Sequence, residues 1–322
     1  MNAQQLNVSV IEPISPAIER VKLILFRPLD LKRWLVIGFC VWLAYLGKGG
    51  GGGGPNFNFW RGTDEEAFHE AKEFVLANLH WIIPVAVTLM LIGIILWVVF
   101  TWLSSRGRFM FLHCVAENKA EVKAPWVKFR RHGNSLFLFR IVLSLIGFAA
   151  IGVPLLIAGI LLAITIAGGG PHIVPVFGFV MIGLAVLIIG IAFTLVHKFT
   201  TDFVVPIMFL RTTSCTAGWR EFLALLSVNK ARFVLYILFQ IVIAITVGII
   251  GATIACLFSC LFMCLTCGIA CLLMLPPLCL GYGYIITVLL LPLSVFTRAY
   301  SILYLRQYGP QFDVFIPEAE TA

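Results

Sequence analysis

Apolar stretches without a single charge run from Trp81 to Ser104, Ile141 to Pro171, Ile173 to Val196 and Phe233 to Thr297. A helix needs about 20 apolar residues to cross a bilayer core of ~30 Å, so each stretch can span a membrane. Trp34 to Gly47 reads as a shorter first span. Its 14 residues cover only ~21 Å as helix, and a start at Leu29 lengthens it if Lys32 and Arg33 snorkel to the headgroups. GGGPH at 168–172 predicts a tight turn. The last stretch holds 65 residues, ~98 Å of helix, and predicts two crossings. Their turn is placed at Leu265–Gly268, with Pro276-Pro277 through Gly283 as the alternative. The pattern therefore predicts an all-α membrane protein with six transmembrane helices, residues 1–322 forming a single transmembrane domain.

Charge orients this arrangement. Basic islands separate the apolar stretches: Arg20, Lys22, Arg27, Lys32 and Arg33; eight residues from Arg106 to Arg140; five from Lys198 to Arg232; then Arg298 and Arg306. Twenty of the 23 Lys and Arg residues thus fall on one side, and only Lys48, Arg61 and Lys72 lie elsewhere. Positive charge stays cytoplasmic, which predicts an inner-membrane protein with both termini in the cytoplasm. The net charge of +8 then serves insertion and contact with anionic lipid, not nucleic acid. The first twelve residues have neither a basic nor an apolar leader segment, so no cleaved signal peptide is expected. The outer segment 48–80 opens on GKGGGGGGP, a flexible tether. It continues through Thr63-Asp-Glu-Glu66, a capping-box pattern, into a short amphipathic helix carrying Phe68, Ala71, Val75 and Leu79.

The chain also repeats itself. Trp219-Arg-Glu-Phe222 follows Trp126-Val-Lys-Phe129 by 93 residues, and Phe193 follows Phe100 by the same interval. Phe203-Val-Val-Pro-Ile-Met-Phe-Leu210 resembles Leu289-Leu-Leu-Pro-Leu-Ser-Val-Phe296, with Pro206 answering Pro292. The predicted unit is an amphipathic interfacial helix followed by a helical hairpin, three times over, at about 13–104, 123–197 and 216–306. Asp30, Asn134 and Asn229 are placed as N-caps of outgoing spans. Lys123, Lys128, Arg130 and Arg131 surround Trp126 and Phe129, as in a basic helix lying in the headgroup layer. Arg33 and Arg232, three residues after their caps and each followed by an aromatic, are predicted phosphate-level anchors.

These repeats, and the ending Pro292-Leu-Ser-Val-Phe-Thr-Arg-Ala-Tyr-Ser-Ile-Leu-Tyr-Leu-Arg-Gln-Tyr-Gly-Pro310, resemble uncharacterised bacterial and archaeal multipass proteins. Those are similar to the membrane domain attached to some glycerophosphodiester phosphodiesterases. The resemblance implies a membrane fold and a lipid-related setting. The catalytic domain of those enzymes, with its metal-binding acids, has no counterpart in this sequence.

Candidate chemistry is sparse. His197, Lys198 and Asp202 cluster at the inner end of the fourth span, and intramembrane ionisable groups mark functional sites by default. Here they are expected at the interface, with Asp202 paired to Arg140 or Arg298. Gln240 is the other buried polar candidate within the spans. Cys256, Cys260, Cys264, Cys267 and Cys271 step along one helical face and are weak metal candidates. No His or acid joins them, and small apolar packing is the better account. No HExxH, GxSxG or phosphate-cradling loop is present, so neither cofactor nor catalysis is expected. The sequence therefore points to a non-catalytic scaffold or lipid-linked accessory subunit, with membrane lipid and a membrane-protein partner or second copy as neighbours. The alternative is a small transporter or channel with a site between the repeats.

Overall fold

The computed structural model describes residues 8–46, 73, 74, 76–168, 173–265 and 276–315. Most of the predicted outer segment, the 168–172 turn beyond Gly168 and the favoured final turn beyond Leu265 lie outside those residues. Among the described residues every regular element is helical. Helix α1 (Ile14–Val21) runs into a π turn at Lys22–Phe26 and is followed by α2 (Leu31–Tyr45). Then come α3 (Leu79–Ala116), the short α4 (Lys123–Lys128) and α5 (Arg130–Gly168). A continuous rod follows: α6 (Ile173–Phe199), a π turn at Thr200–Val204, and α7 (Val205–Arg211). The chain ends with α8 (Cys215–Val228), α9 (Lys230–Leu265), α10 (Pro276–Leu289) and α11 (Leu291–Arg306).

Four stretches are long and apolar enough to cross a membrane: Leu79–Ala116, Arg130–Thr165, Phe177–Arg211 and Lys230–Leu261. The pair Gly281–Leu289 and Leu291–Arg306, bent by 64°, makes a fifth if it is one span. The protein is thus a multipass α-helical membrane protein. The alternative final turn is corrected, because Pro276 to Gly283 lies within α10; proline fits the first turn of a helix, where its missing N–H costs no hydrogen bond.

Packing is concentrated at one end. The most apolar windows of the four long helices are 0, 6, 0 and 22% buried. The buried core instead collects residues 104–116 of α3, the π turn and α7, most of α11, and the inward faces of α1 and α2. We call this end the base. Its ties are specific. Arg20 of α1 donates to the carbonyls of Val115 and Ala116 and caps the end of α3. Gln307 and Ser9 exchange two hydrogen bonds, and Tyr300 donates to the Val10 carbonyl, so α11 is pinned to the N-terminal segment.

The basic island from Arg106 to Arg140 is largely helical. Helix α3 extends into it as far as Ala116, and Arg106 and Arg108 are buried. Arg106 lies over the rings of Trp102 and Trp126, 4.2 and 4.9 Å from their centroids, and donates to Asn134. Asn134 sits inside α5 instead of capping it. Asp30 does cap α2, accepting from the Lys32 N–H. Asn229 precedes α9, but its side chain bonds back to the Leu225 carbonyl of α8.

Helices α2 and α3 approach as closely as backbones allow. A Cβ added at Gly107 would stand 2.5 Å from the Ala44 nitrogen and 2.6 Å from the Leu43 carbonyl carbon. Ser104 seals the contact by donating to the Ala44 carbonyl at 2.7 Å. Because the clash is with backbone, no rotamer change relieves it. Gly107→Ala is expected to destabilise the protein by about 1–3 kcal/mol, the usual cost of overpacking. Thermal unfolding in detergent measures this, and Gly93→Ala, which meets nothing within 4 Å, is the control that should remain unchanged.

Candidate functional site

The polar side chains of the base meet where α3, α5, the α6–α7 rod, α9 and α11 converge. Their geometry begins with the π turn. Its register is i to i+5, as shown by the Val205 N–H bonding the Thr200 carbonyl. The next donor in that register is residue 206, a proline with no N–H. The Thr201 carbonyl is thus left for another partner, and Arg298 of α11 fills the gap at 2.6 Å. The Thr201 hydroxyl accepts from Arg108 of α3 at 2.8 Å. One residue therefore joins three elements. π turns inside longer helices are rare and recur at functional sites.

Around it lies a closed polar ring. Lys198 pairs with Asp202 at 3.0 Å and donates to the Gln240 side-chain oxygen at 3.1 Å. Gln240 donates to the Tyr236 hydroxyl, which donates to Asp202, each at 3.0 Å. The expected Asp202–arginine pair is corrected: the carboxylate is held by a lysine and a tyrosine. The physical reason is helical spacing, since Lys198 stands one turn before Asp202 and Tyr236 one turn before Gln240.

Arg108 also contacts His197 Nε2 at 3.1 Å. Arginine has only donors, so this nitrogen accepts and the ring proton lies on Nδ1. Arg140 donates through Nη1 to Ser105 at 3.0 Å, and to Ser104 and the Thr101 carbonyl at 3.3 Å. A cavity of about 90 Å³ lies beside it, lined by Leu46, Trp97, Thr101, Arg140, Leu143, Ser144 and His197. Sequence patterns identified His197, Asp202, Arg140 and Gln240, and the fold gathers all four. They missed Arg108, Tyr236 and Thr201. Only the one-turn spacing of Tyr236 and Gln240 was there to be read.

The other candidates lie apart. Lys123, Lys128, Arg130 and Arg131 are exposed on the base. Their aromatic companions face the protein: Phe129 stacks on Phe209 and Phe109, and Trp126 packs edge-on to Trp102. Arg33 and Arg232 are used internally as well. Arg33 donates to the carbonyl and side chain of Asn118, and Arg232 to the Val8 carbonyl. Cys256 and Cys260 face outward on α9, whereas the Cys264 side chain, Cys267 and Cys271 lie outside the described residues. Among the described residues no three His, Cys, Asp or Glu side chains are grouped to hold a metal. Cys40 and Cys114 are neighbours with sulfurs 3.9 Å apart.

Asp202→Asn removes the carboxylate that answers Lys198 and accepts from Tyr236. It is expected to cost about 1.5–3 kcal/mol, the range for hydrogen bonds to charged groups. The full penalty of a broken buried ion pair is not expected, because the Lys198 side chain is 40% exposed. Tyr236→Phe should cost about 1 kcal/mol, and the double variant less than the sum of the two. Chemical or thermal unfolding of the three variants checks the coupling, and strict additivity would mean that the ring does not act as a unit.

No curated protein and no solved structure matches this chain. A family model does match, over residues 8–315, and it covers the spans, the base and the polar centre together. The chain belongs to that family, DUF7544, a family of unknown function.

Proposed function

We propose that this protein works without catalysis, as a scaffold or lipid-linked accessory subunit of a complex in the cell inner membrane. The observation that carries this reading is the division between a packed base and bare arms. Few residues in the most apolar windows of the long helices are buried by the protein itself, 22% at most. Such surface is available to lipid, to another membrane protein or to a second copy. In a bilayer, apolar area alone does not drive helices together; close packing and polar contacts do. Arms held at their ends by a rigid base suit presentation better than enclosure of a pathway.

In this reading the chain makes six crossings, with α2 and the bent α10–α11 pair added to the four long helices. The three units, 13–104, 123–197 and 216–306, each supply one helical hairpin. The base and both termini face the cytoplasm, so the exposed Lys123, Lys128, Arg130 and Arg131 meet anionic headgroups. The resemblance to membrane domains attached to glycerophosphodiester phosphodiesterases adds the lipid setting. The rival reading, a small transporter, has the 90 Å³ cavity in its favour. That space holds a few waters or one small ion, and the ring beside it is closed on itself.

Reporter fusions at Ala322 and Asn56 are expected on opposite sides of the membrane, and equal sidedness overturns the six-span arrangement. Photo-crosslinkers at Leu156 and Ile188, 69 and 59% exposed on α5 and α6, should yield a defined protein adduct in native membranes. Chloride, potassium or proton flux through liposomes containing the purified protein, above that of empty vesicles, would overturn the scaffold reading and favour the transporter.

A further inference from the structure

The base has too much positive charge. Arg108 and Arg298 are 4 and 6% exposed, Arg140 is half-buried, and Lys198 is partly exposed. Asp202 is the one carboxylate within ion-pair distance of any of them among the described residues, and Lys198 already answers it. Isolated buried cations cost several kcal/mol each even after relaxation, and more where lipid replaces water.

The hydrogen-bond inventory tells the same story. Arg298 uses Nη1 on the Thr201 carbonyl, while its buried Nε and Nη2 have no partner among the described residues. Arg140 uses only Nη1, leaving Nε and Nη2 without a hydrogen bond among those residues. Nε and Nη2 are the edge with which a guanidinium grips an oxyanion in a bidentate fork. Arg140 also lines the cavity, together with His197 and Ser144. Trp97, 42% exposed, and Leu143 add apolar lining.

We propose that this cavity is a binding site for a phosphate-class oxyanion. Arg140 and Ser144 bind the anion directly, and Arg108 and Arg298 supply the positive potential behind them. The anion is either inorganic phosphate or the phosphodiester of an anionic lipid. Among the described residues no carboxylate lines the cavity, and chloride lacks the paired oxygens that the fork selects. The site stands independently of the scaffold reading, since a fixed structural anion and an exchangeable one leave the arms equally bare.

The test uses full-length protein, delipidated in neutral detergent. One arm titrates inorganic phosphate against sodium chloride at equal ionic strength and follows the thermal midpoint. The other arm counts lipid adducts by native mass spectrometry after exposure to phosphatidylglycerol or phosphatidylcholine vesicles. Phosphate, phosphatidylglycerol or both should bind in preference to chloride and phosphatidylcholine. Arg140→Gln should weaken that binding about tenfold or more, the effect of losing one charge-assisted hydrogen bond. Ser144→Asp places a carboxylate in the cavity and should abolish binding while raising the thermal midpoint of the ligand-free protein. That gain keeps the proposal testable if Arg140→Gln fails to fold. Arg220→Gln, exposed on α8, should change nothing. Phosphate binding alone identifies a free anion, and phosphatidylglycerol binding alone a lipid headgroup. The proposal is overturned if neither probe is preferred, or if Arg140→Gln and Ser144→Asp leave both affinities intact.

Discussion

A single missing N–H organises the base. Pro206 cannot donate in the register of the π turn, so the Thr201 carbonyl needs a donor from elsewhere. Arg298 supplies it, and Arg108 takes the hydroxyl of the same residue. Those two bonds lock α11 and α3 onto the α6–α7 rod. The π turn also sets Asp202 where Tyr236 of α9 reaches it. Four helices are thus fixed by groups that lie within a few residues of one backbone defect.

This matters because the arms supply little order of their own. Lipid tails are as apolar as leucine, so span against span gains little beyond van der Waals contact and occasional small-residue fits. Gly147 against Phe193 is one such fit, and Gly178 against Leu161 another. Polar bonds in the base act differently. Each is directional, and an unmade one exposes a buried charge or carbonyl to a low dielectric. The base therefore fixes which helices meet, and the aromatic layer of Phe199, Phe203, Phe222, Phe233 and Tyr304 fills the space between the bonds.

The sequence made the spans legible because bilayer thickness imposes a length that composition reveals directly. It made the interior of the base much less so. Charge runs such as Arg106 to Arg140 look solvated in any linear reading, yet Arg106 and Arg108 are buried by contacts 28 and 93 residues away. Pro206 stood out as half of a repeat with Pro292, not as the residue that frees a carbonyl, because π turns have no composition signal. The Asp202 partner was misassigned for a similar reason. Arginine was favoured on chemistry, whereas the one-turn spacing to Lys198 decided it. Phe129 and Trp126 among lysines and arginines fit a headgroup-layer helix or a packed base equally well, and only the fold shows which way the rings face.

Helix α2 shows how far the base substitutes for the bilayer. Its 15 residues rise only ~22 Å, short of the ~30 Å that a lipid-stabilised span requires. Ile37, Gly38, Cys40, Val41, Leu43 and Ala44 are nevertheless buried. Two glycines make that burial achievable from both sides. Gly107 lets the α3 backbone touch Leu43 and Ala44, and Gly38 receives Val288 of α10, whose Cγ2 lies 2.5 Å from where a Cβ would stand. Too short for a lipid-held span, α2 is tied by protein on both sides, to α3 through Gly107 and Ser104 and to α10 through Gly38. The polar centre reaches α2 through α3, whose Arg108 is bonded to Thr201.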